Sequence, residues 1–205
     1  MKDPNNPCIF CSIQKSESIF ENSLAYASKD SYPVTKFHSL VVPKRCIKNY
    51  FELNNNLLEK SDTIVLSPGP GSPKDYPSTS KLYKKFKGRK KIIGICLGYQ
   101  QILFCEKAKI IQQKNIFHGY QSEVKVTNNK SIFQKNSKFK VGRYHSLKLK
   151  EPFSAKNFEI TIRCSNTGIA MGFENIKDDI YGFQFHPESF LTKNGKLLIK
   201  KILSA

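Results

Sequence analysis

The stretch from Lys91 to Phe104 constrains the fold more than any other part of the chain. Lys91–Ile95 is a short apolar run typical of a buried strand, and Leu97–Phe104 has the spacing of a helix. Between them, the sequence GICLG at residues 94–98 places a glycine two positions on either side of Cys96. Small neighbours permit a tight turn that holds the central side chain at the helix N-terminus, where the dipole favours the thiolate. This pattern predicts a nucleophile elbow at Cys96; the alternative is a buried structural cysteine between two packing glycines.

Further apolar runs extend the pattern of strands mixed with helices. Asp62–Leu66 is a short apolar run that stops in a loop rich in glycine and proline, which is typical of a buried parallel strand. Later strand candidates are Phe158–Arg163, Ile169–Glu174 and Ile180–Phe185. Strands that alternate with helices in this way predict an α/β fold.

A second group of residues with chemical potential ends the last predicted strand, in the sequence GFQFHPES at residues 182–189. Residues two apart in an extended chain point to the same side, so His186 and Glu188 are expected to act together. His186 would accept the thiol proton, and Glu188 would hold the imidazole in the required tautomer. A lone histidine at a strand end is more often structural. A His-Pro-Glu sequence in the same chain as a cysteine elbow favours a Cys-His-Glu triad.

The loop PGPG at residues 68–71 is the third candidate element. Loops rich in glycine and proline are usually only turns. A loop at the carboxyl end of a parallel strand, however, lies where α/β sheets bind ligands. We therefore expect its backbone N–H groups to face a substrate.

Composition bears on two classes of function, nucleic-acid binding and membrane association. The net charge of +18 is large, and a basic chain can bind nucleic acid or an anionic membrane. The excess is nearly all lysine, scattered through every segment, whereas arginine reads base edges better. Nucleic-acid binding is therefore the minor alternative. No apolar run approaches the roughly 20 residues of a membrane helix, and the N-terminus leads into no apolar signal region, so we expect a cytoplasmic protein without a membrane partner.

Together these motifs resemble the class I (triad-type) glutamine amidotransferases. The likeness spans residues 57–205 and rests on PGPGSP, GICLGYQ, RYHSL and GFQFHPESFLTKNG, in this order. Within the family, RYHSL and the tail after HPES are most similar to the small subunit of anthranilate synthase or of aminodeoxychorismate synthase. The resemblance implies a flavodoxin-like sheet, L-glutamine as substrate and no cofactor. It also implies a chorismate-using synthase subunit as the partner that receives ammonia and chooses the product.

The resemblance also assigns a role to each motif. Cys96 would attack the glutamine side-chain amide and form a glutamyl thioester, with His186 as general base and then general acid and Glu188 orienting it. The backbone N–H groups of Gly71 and Leu97 would form an oxyanion hole, worth about 3 kcal/mol per donor in comparable sites. The other expected glutamine contacts are Gly69, Pro70, Gln100, Ser146 and Leu147.

Three residues at motif positions receive no catalytic role. Tyr99 stands where many members of the family have histidine. His118 and His145 fit motif positions as well, and structural hydrogen bonding is the expected use of both.

Residues 1–56 resemble a different family, the histidine-triad (HIT) nucleotide hydrolases. The matching sequences are CIFC at 8–11, ENSLAY at 21–26 and FHSLVVPKR at 37–45, and strand candidates lie at Ser23–Lys29 and His38–Pro43. The H-x-H-x-H run that carries the chemistry of that family is nowhere in the chain, so HIT catalysis is not expected.

Cysteines in this first segment suggest a metal site. Cys8 and Cys11 have the spacing of half a zinc site, and Cys46 stands where zinc-binding HIT proteins have a further ligand. Structural zinc sites are almost always closed and four-coordinate, and the fourth ligand is missing. Zinc is therefore a minor expectation.

The chain is thus predicted to join two truncated domains, a HIT-like segment at 1–56 and an amidotransferase domain at 57–205. By resemblance, a complete amidotransferase domain opens with a strand–helix–strand unit that is absent here. The expected fold is an α/β amidotransferase-like sheet without that unit, preceded by a short HIT-like β fragment. The expected function is an amidotransferase subunit. The alternatives are a non-catalytic remnant, whose incomplete sheet fails to hold Cys96 and His186 in register, and a basic nucleotide-binding module.

Overall fold

The computed structural model describes residues 18–21, 25–29, 39–43 and 55–205, and the chain forms two compact units, Met1–Asn55 and Asn56–Ala205. In the first unit, strands β1 (Ser18–Glu21), β2 (Ala25–Lys29) and β3 (Ser39–Pro43) form an antiparallel sheet in that order. β2 and β3 overlap the two strands expected from the sequence, whereas β1 was not expected.

The second unit is built on one large sheet with helices on its faces. Its elements follow in chain order, and the first of them begins at the boundary between the units: α1 (Asn55–Lys60), β4 (Thr63–Leu66), a 3-10 helix (Pro73–Asp75), α2 (Pro77–Phe86), β5 (Lys91–Ile95), α3 (Leu97–Cys105), β6 (Ile110–Gln112), β7 (Tyr120–Val126), β8 (Lys138–Arg143), β9 (Leu147–Leu149), β10 (Glu159–Cys164), β11 (Ala170–Asn175), a second 3-10 helix (Ile176–Asp178), β12 (Ile180–Phe183) and α4 (Gly195–Leu203). Over the described ranges, none of the helices is both long enough and apolar enough to cross a membrane.

Within residues 55–205, seven strands form the main sheet in the order β4-β5-β12-β11-β10-β7-β8. β4, β5 and β12 are parallel to one another, and the remaining neighbours are antiparallel. The α/β fold is therefore present, but the sheet is mixed rather than parallel throughout. The connections from β10 to β11 and from β11 to β12 are too short for the helical crossover that parallel neighbours need. β6 and β9 form a separate antiparallel pair.

Successive side chains of β5 point to opposite faces of the sheet, and a helix covers each face. Ile93 and Ile95 belong to one buried cluster with Leu198 of α4. Gly94 faces the other way, where a Cβ would come within 2.7 Å of the Gly98 backbone in α3. Helix α3 therefore lies closer to the sheet than a larger residue in β5 would allow.

Among the residues that the structure describes, β4 is the edge strand at one end of the main sheet. Ile64 and Leu66 are buried, but Val65 between them is 57% exposed. Val65 pairs with Ile93, so it lies on the α4 face of the sheet. We call the open surface there the β4 groove: a depression of about 660 Å³ whose apolar lining includes Val65, Ile93, Ile95, Ile199 and Leu203. The strand that the sequence predicts as buried is thus buried on one face only.

Candidate active site

Cys96 occupies the sharp turn between β5 and the first turn of α3. Its φ of 51° and ψ of −101° are rare for a residue with a side chain. The turn is tight because α3 packs directly on β4, and a Cβ added to Gly98 would overlap the carbonyl oxygen of Leu66. The Cys96 N–H donates to the carbonyl oxygen of Phe183 at 2.7 Å, which ties the turn to β12. The predicted elbow geometry is present, with the cysteine at the helix N-terminus.

A cavity of about 130 Å³ opens beside Cys96. Its wall combines three parts of the sequence: the PGPG loop, the start of α3 and the segment that leads into β9. Every residue expected to contact glutamine lines it together with Cys96, namely Gly69, Pro70, Gly71, Leu97, Gln100, Ser146 and Leu147. Tyr144 and His145 complete the wall. The tertiary structure therefore gathers residues from three distant motifs into one site.

His186 and Glu188 lie in the turn that follows β12. Nδ1 of His186 is 2.6 Å from Oε1 of Glu188, and the His186 N–H donates to the carbonyl oxygen of Gly142 at 3.0 Å. A carboxylate accepts, so Nδ1 carries the proton. Nε2 is buried and has no oxygen or nitrogen partner among the described residues. β12 ends at Phe183, earlier than predicted, so a turn rather than an extended strand pairs the two side chains.

The protonation of His186 depends on its two neighbours. Burial alone would lower the pKa of His186, but its interactions with the Cys96 and Glu188 side chains outweigh this effect and raise the pKa to about 9. The imidazole therefore carries a proton at neutral pH, which suits a histidine that acts as a general acid. The Tyr144 ring packs edge-on against the imidazole, with 4.9 Å between the ring centres, and limits its rotation.

A buried set of hydrogen bonds holds the part of the cavity wall before β9. Nδ1 of His145 is 2.8 Å from the carbonyl oxygen of Leu147, and Nε of Arg143 donates to Nε2 of His145 at 3.0 Å. A carbonyl oxygen only accepts and a guanidinium only donates, so His145 is the neutral tautomer with its proton on Nδ1. Burial and then the charge of Arg143 lower the pKa of His145 to about 4. His145 thus makes structural hydrogen bonds.

Sequence analysis did not single out Arg143, Tyr144 or Gln184. Arg143 is completely buried and stacks on Phe117, with its guanidinium 3.6 Å from the ring centre. Gln184 is also completely buried, and its Nε2 lies 3.9 Å from the Cys96 sulfur. All three residues stand inside motifs that the sequence analysis quoted, so the signal was available. The motif does not reveal which of its side chains turn inward.

Tyr99 is not part of the cavity lining. Tyr99 is buried, packs against Phe173 and donates to the carbonyl oxygen of Ala170 at 3.4 Å. Cys8, Cys11 and Cys46 lie outside the residues that the structure describes, so it does not test the zinc site. Within 55–205 and the three described strands, no group of three or more histidine, cysteine or acidic residues is placed to hold a metal ion.

A strained cysteine at a helix N-terminus, a histidine–carboxylate pair and an adjoining cavity form an arrangement that suits cysteine-dependent acyl transfer. The family model "Glutamine amidotransferase class-I" matches residues 36–205, and the chain belongs to this family. The match begins before residue 57, inside the segment that the sequence analysis assigns to a HIT-like fragment.

Two named relatives and one solved structure show what the chain is similar to. The chain is 36% identical to anthranilate synthase component 2 of Lactococcus lactis subsp. lactis (strain IL1403), over 85% of this chain and 88% of that protein. It is also 36% identical to aminodeoxychorismate synthase component 2 of Klebsiella aerogenes, over 69% of this chain and 75% of that protein. The solved structure of PurLQS from Thermotoga maritima has a TM-score of 0.57 at 22% identity, covering 71% of this chain and 80% of that one. At this identity the structure shows a shared fold alone.

Proposed function

We propose that this chain is the glutamine amidotransferase subunit of a chorismate-using synthase. The observation that carries the proposal is the cavity beside Cys96, because it collects all the expected glutamine contacts next to a strained cysteine. The choice of partner is supported by the relatives that are named components of anthranilate and aminodeoxychorismate synthases.

Each group of the site has a place in the reaction. The thiolate of Cys96 attacks the side-chain amide carbon of glutamine, and the N–H groups of Gly71 and Leu97 stabilise the negative charge that develops on the amide oxygen. His186 gives its proton to the leaving nitrogen, which departs as ammonia. His186 then removes a proton from the water that hydrolyses the glutamyl thioester, and glutamate is released. Glu188 keeps the Nδ1 proton in place in both steps.

The rest of the cavity suits the backbone of the substrate. Gln100 and the backbone of Ser146 and Leu147 lie on its wall and supply the polar groups that an α-amino and an α-carboxylate group need. Cys96, Cys105 and Cys164 are free thiols, and a reducing compartment preserves thiols, which supports a cytoplasmic location.

Glutaminase activity of the purified chain, with and without a chorismate-using synthase subunit, tests the proposal. We expect Cys96→Ser to lower the activity at least about a thousandfold, because a hydroxyl at this position is a far weaker nucleophile. Cys105→Ser is the matched control, since Cys105 ends α3 outside the cavity lining. Equal activity of the two variants, or no glutamyl thioester with either form of the assay, would contradict the proposal.

We further propose that residues 1–56 are HIT-like and that residues 57–205 form an amidotransferase domain without its first strand–helix–strand unit. The exposed face of β4 and the apolar β4 groove support the second point. The family match begins at residue 36, so the position of the boundary needs a direct test.

Limited proteolysis with mass analysis of the resistant core separates these possibilities. A core that begins near residue 57 supports the proposed boundary, and one that begins near residue 36 contradicts it. Digestion throughout would show that the second unit is not independently stable. Metal analysis of the same preparation tests zinc at Cys8, Cys11 and Cys46.

A further inference from the structure

We propose that Gln184 is a positioning residue whose buried carboxamide holds the Cys96 sulfur through its nitrogen and orients Gln100 through its oxygen. The Gln100 half of the proposal rests on the proposed function, because it concerns glutamine binding. The Cys96 half concerns the thiol alone and can be tested without substrate or partner.

The carboxamide of Gln184 lies in a completely buried position, where an amide group is destabilising unless its polar atoms are hydrogen-bonded. Gln184 stands between Phe183 and Phe185, whose rings stack on each other at 4.6 Å and belong to the buried cluster that contains residues of α4. Gln184 turns the opposite way and contacts Gln100 in α3. Gln184 is 0% exposed, and its backbone N–H donates to the carbonyl oxygen of Met171 at 3.0 Å. Amides buried this deeply are retained where their polar atoms are hydrogen-bonded.

The direction of the hydrogen bonds follows from one carbonyl group. The carbonyl oxygen of Leu147 can only accept, so Gln100 must turn its Nε2 toward it, at 3.5 Å. The same Nε2 lies 3.1 Å from the side-chain oxygen of Gln184 and donates its second hydrogen there. Gln184 therefore presents oxygen to Gln100, and its own Nε2 is directed at the Cys96 sulfur, 3.9 Å away. Turning either amide over would oppose two donors or two acceptors.

Two consequences follow for the reaction. Because both hydrogens of the Gln100 amide are used inside the protein, its Oε1 is the atom left to accept from the α-ammonium group of glutamine in the cavity. The side-chain N–H of Gln184 is directed at the sulfur from a completely buried position, and an N–H donor stabilises a thiolate more than a thiol. Gln184 thus links the position of the nucleophile to the orientation of a substrate-binding residue.

Substitution of Gln184 by methionine and by glutamate separates the two halves. Methionine keeps the length of the side chain and removes both hydrogen bonds, whereas a carboxyl group still accepts from Gln100 but places an acceptor beside the sulfur. The matched control is Gln101→Met: Gln101 is 1% exposed, belongs to the same helix as Gln100 and donates to Ser80 instead, at 2.6 Å.

The first measurement is the rate of iodoacetamide alkylation of Cys96 against pH, followed by mass spectrometry of the peptide that contains this residue. We expect the midpoint of the profile to rise by about one pH unit in Gln184→Met, and further in Gln184→Glu, since a lost charge-assisted hydrogen bond is worth about that much. Gln101→Met should leave the midpoint unchanged, although it changes thermal stability.

The second measurement is the KM for glutamine in the complex with the synthase subunit. We expect an increase of about tenfold in Gln184→Met and little change in Gln184→Glu, where the contact with Gln100 survives. An unshifted alkylation midpoint in both Gln184 variants, or an equal shift in Gln101→Met, would overturn the proposal. A shifted midpoint in a chain without glutaminase activity would uphold the Cys96 half and reject the proposed function instead.

Discussion

β4 and β5 contribute to two regions of the second unit that differ sharply in how they are packed. At their carboxyl ends, the turn at Cys96 and the PGPG loop meet α3 in close contact, and the polar groups around the sulfur are linked by directed hydrogen bonds. On their α4 face, the same two strands leave the apolar β4 groove open, with Val65 57% exposed.

The difference shows that the strained turn at Cys96 is held by contacts on the closely packed side of the sheet. The contacts that force Cys96 into its strained conformation come from α3, β12 and the end of β4, all within residues 55–205. The β4 groove also reaches the turn that carries Glu188, whose side chain is 56% exposed and is part of the groove lining. Three substitutions probe this contrast.

The largest effect is expected from Gly98→Ala at the closely packed end. A Cβ at this position would overlap backbone atoms of Leu66, which cannot move without displacing β4 from the sheet. We expect a loss of several kcal/mol in the free energy of unfolding, measured by urea denaturation, and loss of glutaminase activity. Gly168→Ala is the control: its φ is +67°, but no atom of the described residues lies within 4 Å of the added carbon, so the cost should be about 1 kcal/mol. Similar losses in both variants would show that α3 is not packed as described.

An intermediate effect is expected from Glu188→Gln, between the two regions. The pKa of His186 is about 9 in the folded chain and about 6.5 when unfolded, so its proton stabilises the fold fully below pH 6.5, and this contribution is lost as the pH rises through 9. A neutral amide removes part of the cause, so we expect a smaller contribution below pH 6.5, and this contribution should disappear at a lower pH than in the unaltered chain.

Urea midpoints between pH 6 and 10, together with an NMR titration of His186, measure this shift. Glu151→Gln, at an ion pair with Arg163 away from the site, should leave the profile as it is. If the His186 titration were the same in the chain with and without the Glu188 carboxylate, the pair would not form in solution.

The smallest effect is expected from Val65→Ala in the β4 groove. Its side chain loses little buried surface, so the free energy of unfolding should fall by less than about 1 kcal/mol. Ile64→Ala, in the same strand but buried on the α3 face, should cost about 2–5 kcal/mol. Comparable costs, measured by urea denaturation, would mean that the β4 groove is covered in solution, and the contrast between the two regions would disappear.

Local pattern was sufficient for several elements. β5 has the predicted bounds and α3 extends one residue beyond them, because an apolar run bounded by glycine and a helical repeat are both local signals. β10 and β11 are each shifted by one residue from the predicted ranges. The strands β7 and β8 and the helices α2 and α4 were not predicted. Nor were the short strands β6 and β9. The two strands are three residues long, and their pairing is a contact between distant parts of the chain.

Sequence by itself determined the chemical groups of this protein: the cysteine elbow, the His-Pro-Glu turn and the loop that lines the cavity. Their residue types and their spacing are local properties of the sequence, so the motifs can be recognised without a structure. Only the tertiary structure decided that the sheet is mixed, that β4 has one bare face, and that Gln184, Arg143 and Tyr144 turn toward the site. Those features depend on which distant strands pair and on the face of the sheet toward which each side chain points. The local sequence pattern encodes neither.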